Sequence, residues 1–361
     1  MSNLISNNSD FLFIYEAALC NPNGDPDQEN KPRMDYETKT NLVTDTRVKR
    51  YIRDFIIANG GKPETNNGIF VSMEGTSKVS VNTKLINIIN RVLDSEAFKS
   101  IEDNNSVKKL WLELKKEVEI ETKTNTGYWS ELMEIFKKKK KDLTKEYQEF
   151  KSIVDDKLPQ LNDELLFWIT KNQYIDIRWF GSAVAVSGFP RTITGAIQLN
   201  WGYSLNKVEI LDSDSIVTIM NDGSSTFGKD YRVKYSLLAF HGAVNKFAAK
   251  STGLTTSDLE AFRRAIWQSI GAMPTRSKIN QYPKAYIEIV YNDGFSNGHF
   301  GDLRNLISTK PKDGLNDEKV QKFDHLTLDV SKLKKLISED KDKAIKEVII
   351  QTSPDFPPIN S

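Results

Sequence analysis

Strict alternation of apolar and polar side chains governs two stretches of this chain and commits them to a sheet with one buried face. Ile193, Ile197, Leu199, Trp201, Tyr203 and Leu205 alternate with Thr194, Ala196, Gln198, Asn200, Gly202 and Ser204, the period-2 pattern of a half-buried strand. Tyr231, Val233, Tyr235 and Leu237 repeat it against Arg232, Lys234 and Ser236. A loop containing Asp222-Gly223-Ser224-Ser225 lies between them, so the two are expected to form a long hairpin.

Other strands and two helices surround this pair. Phe11–Cys20 reads as a buried strand stopped by the turn-forming Asn21-Pro22-Asn23-Gly24-Asp25-Pro26. After a polar loop to about Val43, a helix is predicted to start near Thr44 or Asp45. Val48, Tyr51, Ile52, Phe55 and Ile56 form its stripe, and Gly60-Gly61 stops it. A second helix is capped by Thr255 or Thr256, carries Leu259, Phe262 and Ile266 inward and ends at Gly271. Tyr286–Tyr291 is the last clear core strand; loops, a short Lys-rich helix near Val330–Leu336 and a Pro-rich end follow. Strand, helix, strands, helix, strand is the order of a ferredoxin-like or RRM-like α+β core. Between them, Leu85–Leu93, Val107–Ile120, Trp129–Lys140 and Leu161–Asn172 read as helices of a Lys- and Glu-rich insertion.

Composition excludes several classes. Cys20 is the only cysteine, which removes internal disulfides and Cys-ligated zinc; His241, His299 and His325 are too few for a histidine-rich metal site. No apolar run is long enough to span a bilayer, and the opening residues carry no secretory pattern, so a cytoplasmic location is expected. Net charge is only +1, so any nucleic-acid binding must come from local clusters of Lys and Arg.

The first helix holds such a cluster. Arg47, Lys49, Arg50 and Arg53 lie near its N-terminal end, where cations oppose the macrodipole at a cost of roughly 0.3–1 kcal/mol each. An external anion would make that arrangement favourable. Without one, the same residues form a solvated face with an Arg50–Asp54 pair. The loop Asn21–Asp35 allows three readings. Its carboxylates are misplaced for an EF-hand. Asp25, Asp27 and Asp35 could hold Mg²⁺ for phosphodiester cleavage. Or Asn21, Asn23 and Gly24 form a rigid turn able to grip a phosphate, which fits the residues best. Phe189, Arg191, Lys229, Tyr231, Arg232 and Lys234 interleave cations with aromatics, as single-stranded nucleic acid requires, although Tyr231 and Val233 equally suit a core. Thr275-Arg276-Ser277-Lys278 offers cations and hydroxyls for phosphate oxygens, while Lys137–Lys141 reads as a solvated run. His241 has no Ser or Cys partner motif, and neither a P-loop nor a G-x-S-x-G occurs.

Taken in order, Asn21-Pro-Asn-Gly-Asp-Pro-Asp, Arg33-Met-Asp, Asn41–Asp54, Asp176–Gly181, Gln198–Lys207, Thr226–Ser236 and Thr275–Lys278 resemble the repeated backbone subunit of type I CRISPR Cascade complexes. The likeness is to the type I-B branch of the seventh Cas family, in the RAMP superfamily. It implies a palm (1–83 and 241–361, the latter with the tail), a helical finger insertion (84–175) and a palm strand with a β-hairpin thumb (176–240). Copies would polymerise along CRISPR RNA, the palm gripping its backbone and each thumb displacing a base. Asn23, Gly24, Arg33, Thr44, Arg47, Lys49 and Arg50 would then serve the palm. Arg191, Phe227, Lys229, Tyr231 and Arg232 would serve the thumb and its base, and Arg276, Ser277 and Lys278 would add phosphate contacts. The implied partners are crRNA, target DNA through the guide, neighbouring copies, the large subunit, the subunit capping the crRNA 5′ end and the crRNA-processing endonuclease. No cofactor, metal or membrane is implied. Some relatives cleave RNA from the acidic loop, so Asp25, Asp27 or Asp35 with Mg²⁺ stands as the alternative.

Overall fold

The computed structural model describes residues 3–72, 81–182, 191–217, 227–341 and 343–359, with backbone alone at 81–82, 212–217 and 227–228. The chain divides into two compact units, one of residues 1–61 with 195–361, the other of residues 62–194.

The first unit opens with β1 (Ser9–Cys20), buried except at Glu16, Ala18 and Leu19. The polar loop that follows folds into two small ladders. β2 (Gly24–Asp25) pairs with β3 (Lys31–Pro32), and β4 (Met34–Asp35) with β5 (Thr40–Val43). Helix α1 (Asp45–Ala58) is capped by Thr44, buries Val48, Tyr51 and Ile52, and gives way to Gly60 at φ +80°.

The second unit is helical: α2 (Val81–Leu93), α3 (Glu96–Lys99), α4 (Ser106–Glu117), α5 (Asn125–Lys137), α6 (Lys145–Gln173) and α7 (Ile175–Phe180). It closes with β6 (Gly181–Ser182) paired to β7 (Ile193–Thr194). Helix α6 continues past Pro159, a residue that costs about 3 kcal/mol in a helix interior. Burial of Val154, Leu158, Leu161, Leu165, Leu166 and Ile169 offsets this, each contributing about 1.5–3 kcal/mol. The buried Asp176 carboxylate accepts the N–H groups of Phe70 (2.7 Å) and Val71 (3.1 Å), and Arg178 Nη2 donates to Asn66 O at 2.8 Å. Those two residues of the Asp176–Gly181 motif therefore tie this unit together.

The first unit resumes with β8 (Ile197–Leu199), β9 (Gly202–Ser204), β10 (Ile210–Val217) and β11 (Phe227–Val244). Then come α8 (Lys246–Thr252), α9 (Thr256–Ala272), β12 (Gln281–Tyr291), β13 (Ser308–Pro311), β14 (Leu326–Asp329), α10 (Ser331–Asp340) and β15 (Ile345–Thr352). The result is a mixed α+β architecture with a central antiparallel sheet ordered β15-β12-β1-β11-β9-β5-β4, in which β10 and β8 also pair with β11. On one face Phe11 stacks on Tyr286 (5.5 Å between centroids) and meets Phe262 of α9 edge-on (5.6 Å), while Tyr15 stacks on Phe240 (5.8 Å). The opposite face, with Leu12, Ile14, Leu237, Ile287 and Ile289, is covered by Leu303, Phe323, Leu333, Ile337 and Phe356 of the C-terminal segment. An RRM presents stacking aromatics on its open sheet face; here that face is closed.

Several expectations need correction. Ile193–Leu205 is three short strands rather than one: β7 pairs within the helical unit, β8 with the end of β11, and β9 with β11 and β5. The alternation inverts after Asn200, leaving Trp201 half exposed and Gly202 buried. Gly202 is required there, since a Cβ would lie 2.3 Å from Phe240 Cζ. The first arm of the long hairpin is therefore β10, not Ile193–Leu205. Gly271 lies inside α9 rather than ending it. The last sheet strand is β15, whose edge position lets exposed residues interrupt the apolar pattern.

Candidate nucleic-acid interface

The loop after β1 and the start of α1 are built as one piece. Asn23 Oδ1 accepts both the backbone N–H and the hydroxyl of Thr44, each at 2.9 Å, and Thr44 Oγ1 in turn accepts the N–H of Arg47 at 3.3 Å. Arg33 N donates to Asn23 O (3.1 Å), and Arg33 O accepts from Leu42 N and Asn41 Nδ2. Gly24 is explained internally: a Cβ would fall 1.9 Å from Asn30 Oδ1 and 2.9 Å from Asn30 O.

Most of the cations are already neutralised. Arg33 pairs with Asp25 (3.1 Å), Lys49 with Asp45 (2.8 Å) and Arg50 with Asp54 (2.8 Å). Lys229 Nζ donates to Glu29 at 2.8 Å, and the Tyr231 hydroxyl donates to the same carboxylate at 3.1 Å. These bonds, Lys229 first, hold the Glu29 carboxyl below its ordinary range. Arg232 and Arg276 share Asp230 at 2.8 and 3.3 Å, and Arg232 also donates to Leu19 O. Lys31 lies over the Tyr231 ring at 4.9 Å.

Two cations are different. Arg47 stacks on the Tyr51 ring at 4.0 Å, and its Nε is buried without a hydrogen-bond partner among the described residues. Lys278, half-buried, donates its ammonium to Asn21 O, and Asn21 N donates to Ser277 O at 2.8 Å. Burial first, then the charge of Arg47, pulls the Lys278 amine down to about 8. No ion pair forms at either residue among the described residues. Around them lie further buried atoms without partners there: the Tyr15 hydroxyl, Asn21 Oδ1 and Gln281 Oε1. Gln281 Nε2 donates to Tyr51 OH (3.0 Å) and Lys278 O (2.7 Å), linking this group together. Buried polar groups are normally satisfied, so this concentration of buried atoms without partners among the described residues sets the end of β1 apart from the rest of the core. The Cys20 thiol beside them is pushed up to about 12 by burial and stays protonated.

The structure thus gathers Asn23, Gly24, Arg33, Thr44, Arg47, Arg232, Arg276, Ser277 and Lys278 around the end of β1. Lys49 and Arg50 follow on α1, and Lys229 and Tyr231 on β11. Arg191 is elsewhere: it belongs to the helical unit, where it binds Asp163 at 2.7 Å and also Glu164, over the Phe167 ring. Phe227 opens β11, but its side chain, like Phe189 and Asp222–Ser225, lies outside the described residues. The acidic loop residues make turns. Asp25 accepts Asp27 N and pairs with Arg33, while Asp35 takes the Thr38 hydroxyl at 2.7 Å with the N–H groups of Glu37 and Thr38. Those bonds, the hydroxyl's first, lower the Asp35 carboxyl. Among the described residues no three His, Cys, Asp or Glu side chains group as metal ligands, and no helix is long and apolar enough to cross a membrane. Sequence reasoning missed Tyr15, Tyr51, Gln281, Glu29 and Asp230. Alternation on β1 hints at the side Tyr15 takes, but that of Gln281 depends on a register shift between β1 and β12 that the sequence does not signal.

A family model described as CRISPR-associated protein Cas7 matches residues 7–331. A curated relative from Haloferax volcanii, named CRISPR-associated protein Cas7, is 29% identical over 310 residues, covering 83% of this chain and 75% of its own. Two solved structures titled "CRISPR RNA-guided surveillance complex, pre-nicking" and "CRISPR RNA-guided surveillance complex" each align with 98% of this chain. Their TM-scores are 0.46 and 0.44, at 13% and 11% identity, with 94% and 93% of those chains covered. The family match takes in β1, α1, the whole helical unit and the sheet through β12, and the chain belongs to the Cas7 family of CRISPR-associated proteins.

Proposed function

We propose that this Cas7-family chain binds CRISPR RNA as a repeated, non-catalytic backbone subunit of a type I, I-B-like, surveillance complex. It holds the sugar-phosphate chain and leaves base recognition to pairing with target DNA. The observation that carries this reading is the charge pattern at the end of β1. Arg47 and Lys278, with no carboxylate of their own among the described residues, meet the amide-rich start of a well-capped helix. The covered sheet face supports it as well, because base stacking across the sheet has no room there.

In this reading β12, β1, β11 and β9, with α1 and α9, form the ferredoxin-like palm, and the β10–β11 hairpin is the thumb. The helical unit is the finger. Partners would be neighbouring copies, the large subunit, the 5′-capping subunit and the processing endonuclease, in the cytoplasm. A heterologous, non-closing contact between copies would give the filament.

Protein co-expressed with a CRISPR array should carry RNA, seen as nuclease-sensitive absorbance at 260 nm; RNA-free protein would overturn the reading. The cleaving alternative has weaker support, since Asp25 and Asp35 are engaged in turns and an ion pair. Incubation with complementary RNA and Mg²⁺ should give no regularly spaced cuts. Cuts lost on Asp35→Ala or Asp25→Ala would establish the enzyme instead.

A further inference from the structure

The helical unit holds a cavity of about 270 Å³ between the turn at Pro63–Thr65, the end of α2, the start of α3 and the end of α6. Its walls are mostly apolar, with Pro63, Val92 and Ala97 among them. Gln173 is the exception. It lines the cavity, is only 6% exposed, and its Oε1 has no hydrogen-bond partner among the described residues. The terminal torsion of a glutamine is soft, so the amide can turn its oxygen toward an occupant that donates. Charges at the rim cancel. Arg91 lies 3.7 Å from Glu64 and donates to the Tyr174 hydroxyl at 2.8 Å, and Glu96 pairs with Lys99 at 2.8 Å. Neither a phosphate nor an ammonium group therefore gains by entering. Small-molecule sites enclose about 300–1,000 Å³, so this volume suits a single side chain. The match is an apolar body with one donor, which describes an indole.

The same chain displays one. Trp111, Trp129 and Trp179 are buried and Trp168 and Trp267 half-buried, whereas Trp201 is 50% exposed. Its backbone is fixed on both sides. Trp201 O accepts from Arg304 Nη1 at 2.6 Å, the Arg304 guanidinium lies 4.2 Å over the Tyr203 ring, and Asn200 N donates to His241 O at 3.0 Å. An aromatic side chain held out from a fixed strand end loses little freedom on docking. Trp201 belongs to the first compact unit and Gln173 to the second. We propose that Trp201 of one copy docks into the Gln173 cavity of the next, its indole N–H donating to Gln173 Oε1. This deepens the reading of the chain as a repeated subunit and rests on it. Knob and cavity are different patches of one chain, so a joined pair still presents one of each and the series can continue.

The test uses the full chain, cleared of RNA by nuclease, in sedimentation velocity. Wild-type protein should grow in mass with concentration. Trp201→Ala, and Ala97→Phe, which plugs the cavity from an exposed position, should each stay monomeric and melt like the wild type. An equimolar mixture of the two variants should form dimers and nothing longer, because one knob and one cavity remain between them. Free indole should compete with wild-type assembly, and 1-methylindole, which lacks the donor, should compete about tenfold more weakly. Assembly of either variant alone, or a mixture of folded variants that stays monomeric, would overturn the docking. Equal competition by the two indoles would overturn the part given to Gln173. A wild type that stays monomeric here, yet carries RNA when co-expressed with a CRISPR array, would overturn the docking and leave the RNA-binding reading intact.

Discussion

Arg47 and Arg50 lie one turn apart on α1, yet of the two only Arg50 is paired with an acid among the described residues. Replacing each with Ala in turn should separate them. For single-stranded RNA the salt slope falls by about 0.7 in log K per log salt for each phosphate that is no longer neutralised. Arg47→Ala is expected to show that decrease. Arg50→Ala should change the slope little, because Arg50 is exposed and paired with Asp54. A second residue-scale prediction concerns Thr44, which joins the loop to the helix through Asn23. Thr44→Ala should lower stability by about 1–2 kcal/mol, read as a lower urea midpoint at unchanged m-value. The cationic residues were legible in the sequence because charge clusters near a helix start stand out by type. Their separation into paired and unpaired members was not. Pairing depends on Glu29 meeting Lys229 and on Asp230 meeting Arg276, contacts made across the fold and invisible to local spacing.

Among the elements, β1, α1 and α9 could be read because each carries one uninterrupted period and a turn or cap at its end. Ile193–Leu205 could not, because its apparent alternation crosses from one compact unit to the other and pairs with three different strands, β6, β11 and β5. β15 escaped notice because an edge strand has no need of apolar residues on both faces. Two glycines test the observed packing in opposite directions. Gly242 faces Phe11 so closely that a Cβ would stand 2.2 Å from its Cζ. Gly242→Ala should therefore destabilise by about 1–3 kcal/mol through overpacking. Gly271 sits in a helical turn with open space around it. Gly271→Ala should stabilise by about 0.5–1 kcal/mol, the difference in helix propensity. Thermal melts of the two variants would check both signs.

At the scale of the molecule, the C-terminal segment is part of the core. Lys284 Nζ lies 3.0 Å from Glu16 and 2.6 Å from Asp355, and Phe323 stacks against Phe356. Deleting residues 345–361 should uncover the edge of β12 and an apolar sheet face, giving aggregated protein by size-exclusion chromatography. The pairing of β1 has a consequence in time. Ser9 stands opposite Val244 on one side and Val290 on the other. As the chain leaves the ribosome, its most apolar strand must wait, unsheltered, while the entire helical unit is made and can fold ahead of it. The earliest-synthesised part of the sheet therefore cannot complete its hydrogen-bonding until β11 and β12 have left the ribosome.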